Sequence, residues 1–271
     1  MLQSCTQNLP LIFDFVKKDF RARFAGSVVG IFWNVINPLV MVAIYALIFS
    51  LVMRAKLPNS GGILREFSYS IYLCAGIIPW TMFAETLLRS TNIFLENTNL
   101  IKKVSFPKEI LNISALITST INFAIAFSFF IVFLAIVNLL PSYSMHIPIG
   151  LMLLFFGVII CQQLFAFGLG LAFSALNVFF RDVGQLVNIA IQLWFWFTPI
   201  VYWKEIVPAP LQFLLKFNPM YHFIGIYQSI FYYNTFPRWT RLVAISSLTI
   251  LALALGYLIF RKLSDDIPDE I

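Results

Sequence analysis

Charge is the scarcest property of this chain. Of its 271 residues only 11% are Asp, Glu, Lys or Arg, against 60% that are hydrophobic, and the mean hydropathy is +0.87. A soluble domain of this size could not carry such a surface, so the sequence describes a multi-spanning membrane protein. Between Glu109 and Arg181 there is no Asp, Glu, Lys or Arg at all. The only acid inside an apolar run, Glu85, lies one turn from Arg89, which reads as an i,i+4 pair and leaves proton or sodium coupling little to work with. The two histidines, His146 and His222, have no partner base, nucleophile or HExxH pattern, so no catalytic constellation is visible. No glycine is followed by lysine, which excludes a phosphate-cradling GxxxxGK loop. The three cysteines, Cys5, Cys74 and Cys161, are odd in number and lack metal-ligand spacing, implying neither a disulfide framework nor a metal. MLQSCTQNLP has no signal-peptide pattern, so the first span is expected to stay in the mature protein. Any uphill movement of a substrate would have to be driven by another chain.

What is present is apolar length. Runs long enough to cross about 30 Å of hydrocarbon, roughly 20 residues each, occur at 28–53, 69–88, 111–139, 148–176, 186–203 and 241–260. The expected fold is all-α and polytopic, a single transmembrane domain over 1–271 with six spans. Residues 11–24, LIFDFVKKDFRARF, place Phe13, Val16, Phe20 and Phe24 on one helical face and Asp14, Lys17, Lys18 and Arg21 on the other, which predicts an amphipathic helix in the membrane interface. With the N-terminus inside, eleven of the 18 basic residues fall in inside segments and seven in outside ones, a bias that places both termini in the cytoplasm. The formal charge of +6 is then a basic cytoplasmic rim, and nucleic acid is not an expected partner.

Two connectors are too long for tight turns. Residues 89–110 hold a helix-like piece, an Asn/Thr break, Lys102 and Lys103, and Pro107 at a first-turn position with Glu109 after it; they are expected to present a surface to the cytoplasm. Residues 204–239 carry two proline-opened segments, VPAPLQFLLKF and NPMYHFIGIYQSIFYY, each too short to cross and therefore read as re-entrant half-helices on the outside. Small residues Ala166, Gly170 and Ser174 recur every four positions, and GSVVG with Gly26 and Gly30 opens the first span. Both fit close helix approach, either within the subunit or at a dimer seam.

The stretch QLWFWFTPIVYW, residues 192–203, puts six aromatic rings into twelve positions. With the fifth span starting near Leu186, Trp194 to Phe197 lie roughly 12 to 17 Å in, near the middle of the hydrocarbon, whereas Tyr202 and Trp203, about 24 to 26 Å in, fit an interfacial belt. Four consecutive rings cover every face of a helix, so one or two of Trp194, Phe195, Trp196 and Phe197 must point inward. Pro199 is expected to free the carbonyl of Phe195 and bend the helix.

The amphipathic start followed in order by VVGIFWNVINPLVMVAIYALIFS, CAGIIPWTMF, NLIKKVSFPKEIL, NVFFRD, WFWFTPIVY and FNPMYHFIGIYQSI resembles the membrane subunits of ABC exporters for bacterial polysaccharides, over about residues 11–262. The resemblance implies a homodimer of six-span subunits in the bacterial inner membrane, in contact with membrane lipid and with two copies of a cytoplasmic ATPase subunit. ATP and Mg would be bound by those partners, and no cofactor by this chain. It implies that the interface helix, with Lys17, Lys18 and Arg21, and the segment holding Lys102, Lys103, Phe106, Pro107 and Lys108 contact the ATPase. It further implies that 204–239 forms a periplasmic gate, including Pro219, Tyr221, His222 and Tyr227, and that the cargo is a lipid-linked O-antigen, with capsule or teichoic acid as alternatives. Trp194, Phe195, Trp196 and Phe197 are the candidate channel lining at the dimer interface. Many relatives carry arginine where this chain has Gln228, and the end RKLSDDIPDEI offers no appended carbohydrate-binding module. Rival readings are an exporter of a small lipid or drug, an ATPase-independent channel, and a membrane enzyme, the last opposed by the missing paired carboxylates.

Overall fold

In a medium without water every backbone donor and acceptor has to be satisfied within the protein, and apolar runs of this length achieve that as helices. The protein's structure, a computed structural model, describes residues 9–23, 27, 30–48, 67–104, 106–139 and 147–271, and all regular structure among them is helical. Helix α1 is Leu9–Arg23, α2 Trp33–Leu47, α3 Ser68–Glu96, α4 Thr98–Lys103, α5 Glu109–Asn138, α6 Ile149–Phe179, α7 Asp182–Phe197, α8 Ala209–Leu215, α9 Pro219–Phe231, α10 Trp239–Leu263 and α11 Ile267–Glu270. Four of them, α3, α5, α6 and α10, are long and apolar enough to cross a membrane. Of the expected first span, 28–53, residues 30–48 are described, with α2 as its 15-residue helix; the rest of that run, like Phe24, Gly26, the turn at 140–146 and His146, lies outside the described residues.

Helix α3 is the axle of the bundle, buried along most of its length and packed between α5 and α6, while α10 lies along α6. The main core fills the space between α3, α5, α6 and α9 with Phe83, Phe123, Phe130, Phe155, Phe223 and Phe231. A second core, around Ile12, Phe94, Ile101, Ile110, Phe260 and Ile267, closes the end of the bundle that carries Lys102, Lys103 and Lys108, called the basic end below. Between the two cores runs a polar seam. Thr86 Oγ1 reaches Ser119 Oγ at 2.5 Å and Gln163 Oε1 at 3.0 Å, Gln163 Nε2 donates to Thr120 at 2.6 Å, and Asn112 Nδ2 to Ser174 Oγ at 3.2 Å. Each such bond between helices in lipid is worth about 0.6 to 2 kcal/mol and fixes register more than it adds stability.

The structure moves several expected boundaries. α3 runs eight residues beyond Leu88, so the connector that begins at Arg89 is helical down to Glu96. Asn97 halts it, turning its side-chain Nδ2 back to the carbonyl of Ile93 at 2.9 Å in the helix-competing mode of that residue type. α1 forms over nearly the expected range, but its buried face is Ile12, Phe15 and Val16, while Phe13 is 61% exposed. The helix is rotated from the expected face because it docks on α5 and on the ring of Phe106, whose centroid is 5.8 Å from that of Phe15. The fifth apolar run begins earlier and ends sooner than expected, as the 16 residues of α7.

Ala166, Gly170 and Ser174 are buried within the subunit, which resolves that small-residue row as internal packing. Gly30 has no such role among the described residues: nothing lies within 4 Å of a Cβ built on it, and its φ of +58° is what calls for glycine. The closest backbone approach is elsewhere, at the crossing of α6 and α10. A Cβ on Gly256 would sit 1.9 Å from the carbonyl oxygen of Gly168, and one on Gly168 would sit 2.6 Å from the Ala252 backbone. Gly256→Val is therefore expected to cost about 3 kcal/mol or more, read as loss of the thermal unfolding transition in detergent. Gly157→Ala, with nothing within 4 Å, is expected to change stability by no more than about 1 kcal/mol.

Candidate functional site

The aromatic stretch does not bend as a helix; it leaves the helix. α7 stops at Phe197, and Thr198 turns back, its amide donating to the Phe195 carbonyl at 3.2 Å and its hydroxyl to the Trp194 carbonyl at 2.8 Å. Pro199 has no N–H with which to continue the ladder, so the segment 198–203 is non-helical. The depth expected for Tyr202 and Trp203 on a continuous helix does not apply. Side chains from two other helices satisfy the exposed carbonyls. Asn218 Nδ2 donates to the Phe197 carbonyl at 3.1 Å, Gln228 Nε2 to that of Pro199 at 3.2 Å, Tyr69 to that of Val201, and Tyr72 to that of Tyr202 at 3.2 Å. Ile200 donates its amide to the Thr198 carbonyl at 2.7 Å.

Asn218 ties this break to α9. Its Oδ1 caps the helix by accepting from the Met220 amide at 3.0 Å and also accepts from Trp194 Nε1 at 2.7 Å. An Asn just before a helix-opening Pro is a legible N-cap signal, but its partnership with Trp194 across 24 residues has no local signature. Gln228, the position where a charged residue was missed, is likewise a backbone partner buried in the protein.

The four rings divide evenly. Trp194 and Phe195 pack inward against Trp80, at centroid distances of 6.3 and 5.7 Å, and Trp194 also meets Phe83 edge-on at 5.4 Å. Trp196 and Phe197 are 65% and 69% exposed. Phe197, with Leu193, Leu214, Phe217 and one edge of Trp194, lines an open groove of about 530 Å³ between α7 and α8.

The residues of α9 also separate. Tyr227 is fully buried against Phe155, at 5.7 Å. Pro219 opens α9, and His222 turns Nε2 to the Lys216 carbonyl at 2.9 Å. Tyr221 lies beneath the guanidinium of Arg241, 5.3 Å from its ring centroid. The same guanidinium fills the space above Gly225, where a Cβ would sit 2.4 Å from Nη1. Nothing in the sequence pointed to Arg241. Burial, and then the neighbouring Tyr233, raises the Tyr232 phenol above its ordinary range; burial and Glu205 raise that of Tyr233, which Arg241 opposes. Both phenols therefore stay neutral.

At the basic end Lys102 and Lys103 are exposed on α4, beside a groove of about 470 Å³ that Phe106, Lys108 and Pro268 also line. Pro107 is half-buried next to it. Lys108 departs from the other two: its ammonium donates to the carbonyl of Ser264 at the end of α10. On α1, Lys17, Lys18 and Arg21 are exposed, with Lys18 Nζ 3.3 Å from Asn97 Oδ1. The pair of Glu85 and Arg89 is present at 3.1 Å, but as the middle of a half-buried chain. Asp19 of α1 binds the other side of the guanidinium, and Asn122 Nδ2 donates to Glu85 at 2.7 Å.

The sequence profile of the ABC-2 type transporter family matches residues 11–232. A Klebsiella pneumoniae protein named O-antigen export system permease protein RfbA is 32% identical over 260 residues, covering 94% of both chains. A Myxococcus xanthus protein of the same name is 27% identical over 263 residues, covering 96% of this chain and 95% of its own. The polysialic acid transport protein KpsM of Escherichia coli is 20% identical over 245 residues, 90% of each. With more than half its length matched and a relative this similar from end to end, the chain belongs to the ABC-2 type transporter family, as a membrane protein of several apolar helices.

Proposed function

We propose that the chain is the membrane subunit of an ATP-driven exporter that moves a lipid-linked polysaccharide, O-antigen first among the candidates, across the bacterial inner membrane. The observation that carries this reading is the near-full-length likeness to relatives named as O-antigen export permeases; the polysialic acid relative supports a capsular chain as the second choice. In this reading the subunit has six spans, α2 and α7 completing the four long helices. It works as a homodimer with both termini in the cytoplasm and two copies of an ATPase subunit below it. ATP and Mg belong to those partners.

The geometry supports the assignment of the two ends. Lys102 and Lys103 stand free of ion pairs among the described residues, next to a groove at the basic end, and offer a docking face to an acidic surface on the ATPase. At the other end the broken segment after α7, with α8 and α9, stands at membrane depth as a gate, since irregular backbone there is tolerated only against protein or a water-filled path. A polymer cannot be enclosed in a pocket. It has to slide along weak, repeated contacts, and aromatic faces against sugar C–H faces provide them. Trp196 and Phe197, exposed on α7, are the lining candidates that remain once Trp194 and Phe195 are spent on internal packing.

Two measurements test this reading. Lys102→Glu with Lys103→Glu is expected to reduce ATPase co-purification about tenfold and abolish surface glycan, with the permease dimer intact; unchanged export would refute the docking face. Trp196→Ala and Phe197→Ala are expected to lower export while leaving the thermal midpoint of the purified protein near its original value. Trp194→Ala is instead expected to cost about 3 to 5 kcal/mol of stability by emptying the cluster beside Trp80. A loss of the dimer in all three would overturn the division between lining and packing.

A further inference from the structure

We infer that α6 and α10 act as a single strut that carries displacement of the segment Thr98–Lys108 to the half-helix α9, with Lys108 and Arg241 as the positioning residues at its two ends. The inference rests on the reading of Lys102 and Lys103 as the ATPase docking face, but it concerns what happens after docking.

The strut is rigid for a visible reason. α6 and α10 share the most extensive helix contact among the described residues, and at Gly168, Ala252 and Gly256 their backbones touch without intervening side chains. One helix cannot slide along the other there without driving backbone into backbone. A polar clasp sets the register a little further along: Thr249 Oγ1 donates to the Cys161 carbonyl at 3.2 Å and lies 3.1 Å from Cys161 Sγ. Packed elements of this kind move as units, because interiors are too dense to deform continuously.

Each end of the strut is tied to a segment that the proposed function requires to move. At the basic end the Lys108 ammonium holds the Ser264 carbonyl, the cap of α10. Just beyond it, Ile267 of α11 is 0% exposed, in one core with Ile101 and Ile110 on either side of the lysine segment. α11 is thus a hook fastened to the docking segment. At the opposite end α10 begins at Trp239, and Arg241, in its first turn, lays its guanidinium on Gly225 and over the Tyr221 ring of α9. α6 adds Phe155, edge-on to Tyr227 at 5.7 Å and to Phe231 at 5.0 Å. From Arg241 to Ser264 is 23 residues, about 35 Å of helix, so one continuous element spans the membrane between the two ties. Arg241 has no carboxylate within 4 Å among the described residues; its guanidinium lies over the Tyr221 ring and against Gly225 of α9, and the Tyr233 phenol also feels its charge. Such a contact shifts with α9 without first breaking an ion pair.

A competing route runs through α5, which follows Lys108 directly and whose Phe127 and Phe130 meet Phe231 at 5.7 and 5.4 Å. The two routes differ in what they demand of Lys108 and Arg241. The experiment uses the full chain produced with its ATPase partner, scored for three readouts: ATPase co-purification and turnover, thermal midpoint, and the cell's own surface glycan. If the strut operates, Lys108→Met and Arg241→Met keep the partner bound, with turnover changed by no more than about twofold, while export falls about tenfold. Lys108→Arg, which keeps a donor within reach of Ser264, retains export. Gly225→Ala, whose methyl displaces only the guanidinium, reproduces the Arg241→Met split and serves if that variant fails to accumulate. Normal export in both Lys108→Met and Gly225→Ala would overturn the strut. Loss of ATPase co-purification in Lys108→Met would also overturn it, by making Lys108 part of the docking face. Failure of the docking face itself would be seen separately, as unchanged co-purification in Lys102→Glu with Lys103→Glu.

Discussion

The break between Phe197 and Trp203 is the constraint from which the arrangement of the opposite end follows. A membrane helix that stops early exposes carbonyls that no water satisfies, and each one left unpaired in a low-dielectric medium costs several kcal/mol. Here the carbonyls of Phe197, Pro199, Val201 and Tyr202 are answered by Asn218, Gln228, Tyr69 and Tyr72. Those partners sit on α3 and on the start and middle of α9. Satisfying the break therefore docks α9 against α3, and that in turn decides which aromatic rings face inward.

The same logic explains why Gln228 stands where a cation was looked for. The neutral amide donates to the Pro199 carbonyl and packs beside Gly76, where a Cβ would come within 3.3 Å of it, and a guanidinium in this buried place would add a charge with no carboxylate among the described residues to pair it. The cation of this region is Arg241, one helix away, held over Tyr221. At the basic end the charge network works differently. Asp19, Arg89, Glu85 and Asn122 form a half-buried chain that ties α1 to α3 and α5. Such a chain contributes more to fixing the position of α1 than to net stability, because desolvation offsets much of the attraction. It leaves Lys102 and Lys103 as the exposed cations of α4.

Much of the helical layout was legible from the sequence, for reasons of length and composition. The spans near 111–139, 148–176 and 241–260 were placed within about three residues, since an apolar run bounded by charge or proline has few places to end. The short helices α8 and α9 were legible because Pro208, Pro210 and Pro219 open them. The end of α3 was misplaced: Arg89 suggested a boundary, but the helix ran on until Asn97 turned its amide back on it. The buried face of α1 was misread, with Ile12 and Phe15 turned inward in place of Phe13, because the helix docks on α5 and on Phe106.

The sequence by itself determined that this is a helical membrane protein with a basic connector and an aromatic run interrupted by a proline; composition and spacing are local properties and a single chain displays them. Only the tertiary structure decided which of the four rings are free, that Lys108 holds Ser264 rather than standing with Lys102 and Lys103, that Gly168 meets Gly256, and that Arg241 lies on α9. Each of those depends on where a residue from another helix, tens of positions away, fills space or satisfies a polar group, and no periodicity within one segment encodes that.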